Sequence, residues 1–306
     1  MRFHRRGLTG MLALVVPVAI AVACGSSSSG DDDGLQPGSG SDAASDSTSS
    51  GGDGSKIGDG ATPIDAGWSP ANLAGLVLWL DAARGVTENG ATVSAWADQS
   101  SAKNNASAAP KEPAVVNAGI GGLPAMHFDG GGAYFSITDS ASLQWATGDF
   151  LIEAVGRCGP PGLGLLEGVY SKDLDFMTPG IRLNVTLSGP DAGVAVAKIS
   201  EAIFVQGGVS HAFDMTPHRY VARRIGTMLQ VSADGAVVGT VDAGATTDTS
   251  AIGAPALVGT RALVADAAPS DQFWNGDIAE IVAVKGTTSD ADALLLDTYL
   301  KQKYGL

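Results

Sequence analysis

From Trp68 to Leu306 the chain is written in short apolar runs, and Gly, Pro, Asn and Asp stand between them. Leu76 to Leu80, Thr92 to Trp96, Ala125 to Phe128, Ala133 to Ile137 and Phe150 to Val155 are rich in β-branched and aromatic residues. Gly180 to Leu187, Val194 to Ile199, Ala202 to Val205, Ala256 to Gly259 and Ile278 to Val284 repeat the pattern. An average helix needs about 11–12 residues, and this punctuation interrupts most runs sooner. Arg219 to Ile225 and Met228 to Ala233 read as a hairpin about Gly226, and Asp234-Gly235 is a turn signal before Ala236 to Val241. A dozen or more short strands at even spacing predict an all-β fold, a two-sheet antiparallel jelly-roll sandwich. With 42 Gly, 14 Pro and 16% charged residues, the composition agrees. Trp79, Trp96, Phe128, Phe150 and Ile281 lie within strands and are the expected core. Only the end reads as helical. Ser289 is placed to cap a short C-terminal helix from Asp290 to about Gln302, with Leu294, Leu295 and Tyr299 expected to face the sandwich.

Residues 1–23 have a different grammar. Arg2, Arg5 and Arg6 precede an apolar run from Leu8 to Val22, shorter than the 20 or so residues of a membrane span and suited to a secretory signal. Ala21-Val22-Ala23-Cys24-Gly25 resembles the lipobox of bacterial lipoproteins, which implies cleavage before Cys24 and a lipid on its thiol. The usual Leu three residues before the cysteine is Ala21 here, and the small residues around Ala23 also suit an ordinary signal peptidase. Plain secretion therefore stands beside lipidation. Residues 24–66 are mostly Gly, Ser, Asp, Ala and Thr and carry too little apolar surface to repay ordering. Roughly 40 such residues reach about 35 Å, enough to hold a domain clear of a membrane. Gly25 is not the Asp often tied to inner-membrane retention, which leans the expectation towards the outer membrane. The folded domain is expected over residues 67–306.

The formal charge is −14, and loss of the three leader arginines lowers it by three more. Such a surface disfavours nucleic acid and anionic lipid and is compatible with divalent cations and neutral ligands such as glycans. With Cys24 lipidated, Cys158 has no partner, and a disulfide-free fold with Cys158 as a small residue at a strand end is expected.

Leu78-Trp-Leu-Asp-Ala82, Val93-Ser-Ala-Trp-Ala-Asp-Gln-Ser100 and Pro124-Ala-Met-His-Phe-Asp-Gly130 resemble the front half of laminin-G-like, concanavalin A-type jelly rolls. The hairpin Arg219 to Gly235, the segment Phe273 to Ile281 and the helix ending Tyr299 to Gly305 resemble the family's later parts, while Gly156 to His218 matches least. The resemblance implies an extracytoplasmic binding domain for carbohydrate, with a cell-surface protein as the alternative partner. It also implies a structural calcium at the sandwich edge, for which Asp129 and Asp277 are the candidate ligands.

Catalytic patterns are weak. Glycosidases of this fold place carboxylates on one face of one strand. Lys172-Asp-Leu-Asp175 offers two aspartates without a glutamate, and Asp277 and Glu280, three apart, are expected on opposite faces. Gly208-Val-Ser-His-Ala212 lacks the second glycine of a nucleophile elbow. His127, His211 and His218 share no metal-ligand spacing. The chain is therefore read as a binding protein and not an enzyme. Sugar recognition wants an exposed aromatic with polar neighbours, so Trp145, Trp274 and Asn275 are the candidate ligand contacts.

Overall fold

The computed structural model describes residues 67–109, 111–160, 166–174, 178–187, 192–200, 202–261 and 272–306. The signal, Cys24, the 24–66 segment and Asp175 lie outside them.

Among the described residues there are 17 strands and one α-helix. The first seven strands are β1 (Leu76–Asp81), β2 (Val86–Asn89), β3 (Thr92–Trp96), β4 (Ala106–Ala108), β5 (Ala114–Ile120), β6 (Leu123–Asp129) and β7 (Phe135–Ile137). Next come β8 (Phe150–Cys158), β9 (Leu166–Lys172), β10 (Ile181–Leu187), β11 (Ala192–Lys198) and β12 (Phe204–Ser210). The series closes with β13 (His218–Ile225), β14 (Met228–Ala233), β15 (Ala236–Asp242), β16 (Ala256–Val258), β17 (Asn275–Lys285) and helix α1 (Asp290–Tyr304).

Every named pairing is antiparallel, and the pairings fall into two layers. In the back layer β17 has β8 on one side and both β1 and β6 on the other. β8 continues into β13, β14 and β15, and β5 flanks β6. The front layer runs β2-β3-β4-β7-β16-β9-β10-β11-β12. A single pair, Thr92 with Ala114, ties the layers into one network. This is an antiparallel jelly-roll sandwich.

Burial explains the sequence patterns. β1, β8 and β17 are apolar along nearly their whole length because both of their faces are covered. Leu78, Leu80, Ile152, Ala154, Ile278, Ile281 and Ala283 point between the layers. Trp79, Leu151, Val155, Ala279, Val282 and Val284 point outward, under α1. β12 and β14 have one face in the core and alternate strictly. All five expected core residues are buried, Trp79 in the outer cluster and the rest in or beside the inter-layer core. The hairpin of β13 and β14 turns at Gly226 as expected, and Asp234 and Gly235 both take positive φ, 52° and 83°, as a two-residue type I′ turn demands. β2, β4, β5 and β9 were not anticipated from the sequence.

Two expectations are corrected. Helix α1 starts at Asp290 behind its Ser289 cap, but its buried residues are Leu296, Thr298, Leu300 and Tyr304. Tyr299 packs partly buried against the outer cluster as expected, but Leu294 and Leu295 are exposed, so the helix is rotated from the face expected. In addition, Asp277 and Glu280 share the outer face. The register of β17 against β8 slips at Ala279, and this β-bulge adds the residue that brings both carboxylates to one side.

Candidate functional site

The outer face of the back layer can be laid out from its register. One row runs Glu153 (β8), Val221 (β13), Ser232 (β14), Val237 (β15). The next runs Leu151, Arg223, Gln230, Thr240. The first row alternates polar and apolar side chains, and the second is polar beyond Leu151. Helix α1 lies along this face, where Leu296, Leu300 and Tyr304 are buried in the outer apolar cluster and ion pairs fix its edges. Arg219 Nε donates to Asp297 Oδ1 at 2.8 Å, and Arg223 donates to Asp290 Oδ1 at 2.8 Å. Lys303 Nζ donates to Glu280 Oε2 at 2.6 Å and to Asp81 Oδ2 at 2.9 Å.

Between the helix and β13–β15 remains a groove of about 180 Å³. Its floor includes Leu151 and Val221; Val237 and Leu294, 57% and 66% exposed, stand at its rim. Glu153 and Arg223 line it as well. Glu153 is 1% exposed, and its Oε1 meets no hydrogen-bond donor. Arg223 Nε is buried and meets no acceptor. Burial, then the charge of Asp297 beside it, pushes the Glu153 carboxyl well above the ordinary carboxylate range. None of these groove residues was singled out from the sequence. The available signal was one ionisable residue, Glu153, inside the apolar run Phe150 to Val155.

The residues that were singled out lie elsewhere. Trp145 is 1% exposed and packs on Phe150 with ring centroids 5.8 Å apart. Trp274 is wholly buried, with Tyr220 edge-on at 6.5 Å. Neither indole has a face free for a sugar, because both sit in the inter-layer core. Asn275 is tied up as well: its side-chain Nδ2 donates to Pro160 O at 2.9 Å and its backbone N–H to Glu167 Oε2 at 3.1 Å.

Asp129 and Asp277 lie diagonally on neighbouring strands, but each is already matched with protein cations. Asp277 accepts from Arg157 Nε at 2.8 Å, lies 2.7 Å from the second Arg157 nitrogen and meets His127 Nδ1 at 2.8 Å. Asp129 pairs with the Lys111 ammonium and closes its own turn by accepting from Gly131 N–H at 3.0 Å. The Lys111 hydrogen bond holds its carboxyl below the usual range, against some burial. Among the described residues no group of three or more His, Cys, Asp or Glu gathers. His127, His211 and His218 each pair through Nδ1 with an aspartate, Asp277, Asp214 and Asp234 respectively, all at 2.8 Å. Cys158 is free and buried at the end of β8, its thiol donating to Ala212 O at 2.9 Å, and burial pushes that thiol up, away from reactivity.

Inside the sandwich stand further ionisable groups. Lys172 Nζ is fully buried and donates to Asp139 Oδ1 at 2.8 Å and to the carbonyls of Ala251 and Ala254 at 2.7 and 2.6 Å. Asp173 pairs with Arg182, and burial still pushes its carboxyl up to about 6. Glu167 is held up to about 8 by burial.

No family model and no curated protein matches this chain. Solved structures do. The binding domain of Paraclostridial Mosquitocidal Protein 1 superposes with a TM-score of 0.54 at 9% identity, over 74% of this chain and 52% of that one. The likeness is one of fold. An arabinofuranosidase complexed with arabinofuranosyl-alpha-1,2-xylobiose gives 0.51 at 9% identity, over 70% of this chain and 51% of the other. The chain spans about half the length of both.

Proposed function

We propose that this is an exported carbohydrate-binding domain, lipid-anchored at Cys24 and displayed from the 24–66 tether at the cell envelope, most naturally on the outer membrane. The observation that carries the binding reading is the groove beside α1, where Glu153 Oε1 and Arg223 Nε stay unpartnered in a surface otherwise closed by ion pairs. Buried polar groups without partners are costly, and a ligand rich in hydroxyls supplies both donors and acceptors. The jelly-roll fold is shared with an arabinofuranosidase complexed with a sugar, which accords with this reading. Binding is favoured over hydrolysis because Asp297, the carboxyl beside Glu153 in the groove, is already tied to Arg219, whose Nε donates to its Oδ1 at 2.8 Å. A glycosidase needs two carboxyl groups about 5 Å or more apart, with separate acid and base roles.

A glycan array probed with the purified full-length chain tests the proposal. Retention on a defined set of glycans is expected. Uniform background across the array, together with retention by an envelope protein fraction, would favour a protein partner instead.

A further inference from the structure

We propose that the groove takes one uncharged sugar ring of a glycan, held at a pair of hydroxyls by Glu153 and Arg223. This rests on the carbohydrate reading and adds the place, the charge class and the contacts.

Size comes first. At about 180 Å³ the groove is smaller than the roughly 300–1,000 Å³ of sites for drug-sized ligands, so it accommodates a single ring and not a chain segment. Chemistry is second. A hydroxyl donates and accepts. Glu153 Oε1 lacks a donor and Arg223 Nε lacks an acceptor. The register places Glu153 opposite Val221, and Arg223 two residues further along the same face of β13. Diagonal neighbours of this kind lie about 7–8 Å apart at the backbone, a span that two hydroxyls on one ring can bridge when side chains reach inward. Gln230 and Ser232 extend the polar line on β14. A sugar ring presents C–H patches between its hydroxyls, and Leu151, Val221 and the exposed Val237 and Leu294 supply apolar surface between the polar groups.

Charge is third. The cations near the groove are already engaged: Arg219 by Asp297, and Arg223 by Asp290 and the Thr288 carbonyl. A carboxylate on the sugar would face Asp297 in the groove wall, and the charges of Arg219 and Arg223 are already balanced by Asp297 and Asp290, in a chain of formal charge −14. Uronic and sialic residues are therefore rejected.

The test uses the full-length chain and titration calorimetry with the methyl glycosides of glucose, galactose, xylose and arabinose, and with galacturonate and N-acetylneuraminate. At least one neutral glycoside is expected to bind and both acids to fail. Glu153→Leu removes the acceptor, and loss of one good hydrogen bond predicts binding weakened ~10-fold. Val237→Arg changes an exposed rim residue, leaves the core untouched and is expected to weaken binding at least as much with an unchanged melting temperature. Neutral binding that survives both variants within twofold would move the site elsewhere while leaving the carbohydrate reading intact. Preference for the acidic sugars would overturn the charge class. Failure of every sugar, neutral and acidic, here and on the array, would overturn the carbohydrate reading itself and this proposal with it.

Discussion

Glu280 and Glu153 are both buried carboxyls on the outer face of the back layer, and their surroundings differ sharply. Glu280 accepts from Trp79 Nε1 at 2.6 Å, Lys303 Nζ at 2.6 Å and Tyr304 Oη at 2.9 Å. Glu153 Oε1 accepts from nothing. That contrast marks one as a structural clasp and the other as a group awaiting a partner, and neither role was legible in the sequence. Both are single glutamates in apolar strands, and only their neighbours from distant segments separate them. The large aromatics show the same limit. That Trp96 and Phe128 are core follows from their strands, whereas Trp145 in a loop-like stretch and Trp274 just before the closing strand could be sugar platforms or caps on the core, and the structure makes them core. A pH prediction belongs at this scale. Burial holds Glu167 up to about 8, far above its ordinary 4.5. A group whose folded pKa is raised contributes stability that is present in full below the unfolded value and is lost as pH rises through the folded one. Asp173, raised to about 6, and His218, raised by the Asp234 carboxylate against its burial, act in the same direction. The melting temperature should therefore fall between pH 5 and 8.5, and Glu167→Gln should flatten that fall. An unaltered pH profile in the variant would show that Glu167 does not hold its proton. The buried ammonium of Lys172 supports a second prediction. Lys172→Met strips a partner from Asp139 and from two loop carbonyls, at a cost of about 3 kcal/mol. Urea unfolding measures it as a shifted midpoint at constant slope, and a loss below about 1 kcal/mol, typical of exposed pairs, would mean that water replaces the amine.

At the scale of elements, strand existence was legible where both faces are apolar or where alternation is strict, as in β1, β14 and β17. The short pieces β2 and β4 and the bulged β5 and β9 were not, because a bulge breaks the period of two on which the reading depends. The bulge at Ala279 likewise reversed the expected relation of Asp277 and Glu280. Helix α1 shows the same limit in another form. Its start was readable from Ser289, whose hydroxyl accepts from Asp292 N–H at 3.0 Å. Its rotation was not, because Leu294, Leu295, Leu296, Tyr299 and Leu300 spread around the helix, and the choice is made by Arg219, Arg223 and Glu280 on the sheet. Alanine substitution separates the two faces. Leu300→Ala, at a wholly buried position, should cost about 2–5 kcal/mol. Leu294→Ala should change stability by less than about 0.5 kcal/mol. Equal effects would mean that the helix docks by the face the sequence suggested. The same rotation places Leu294 at the groove rim, so the ion pairs that set the helix also shape the site.

At the scale of the whole molecule, every described element lies after residue 66, and the part before it is chemically of another kind. If the tether only displays the domain, a fragment of residues 67–306 should melt within about 2 °C of the full chain, which is no more than about 1 kcal/mol for a domain of this size, and bind the same glycans with the same affinity. Anchoring is a separate matter. The lipidation reading rests on Cys24 alone, so Cys24→Ser is the decisive change. In a bacterial host the wild-type chain should enter the detergent phase on phase separation, and its mature N-terminal peptide should carry the mass of a diacylglyceryl-modified cysteine. The serine variant should stay in the aqueous phase with the same fold and the same ligand. Because the leader's Ala21 stands where Leu is usual, a wild-type chain found in the aqueous phase with an unmodified N-terminus would convert the anchored domain into a secreted one. That outcome would leave the groove and its sugar unaffected, since both are built from strands and a helix more than a hundred residues beyond the cysteine.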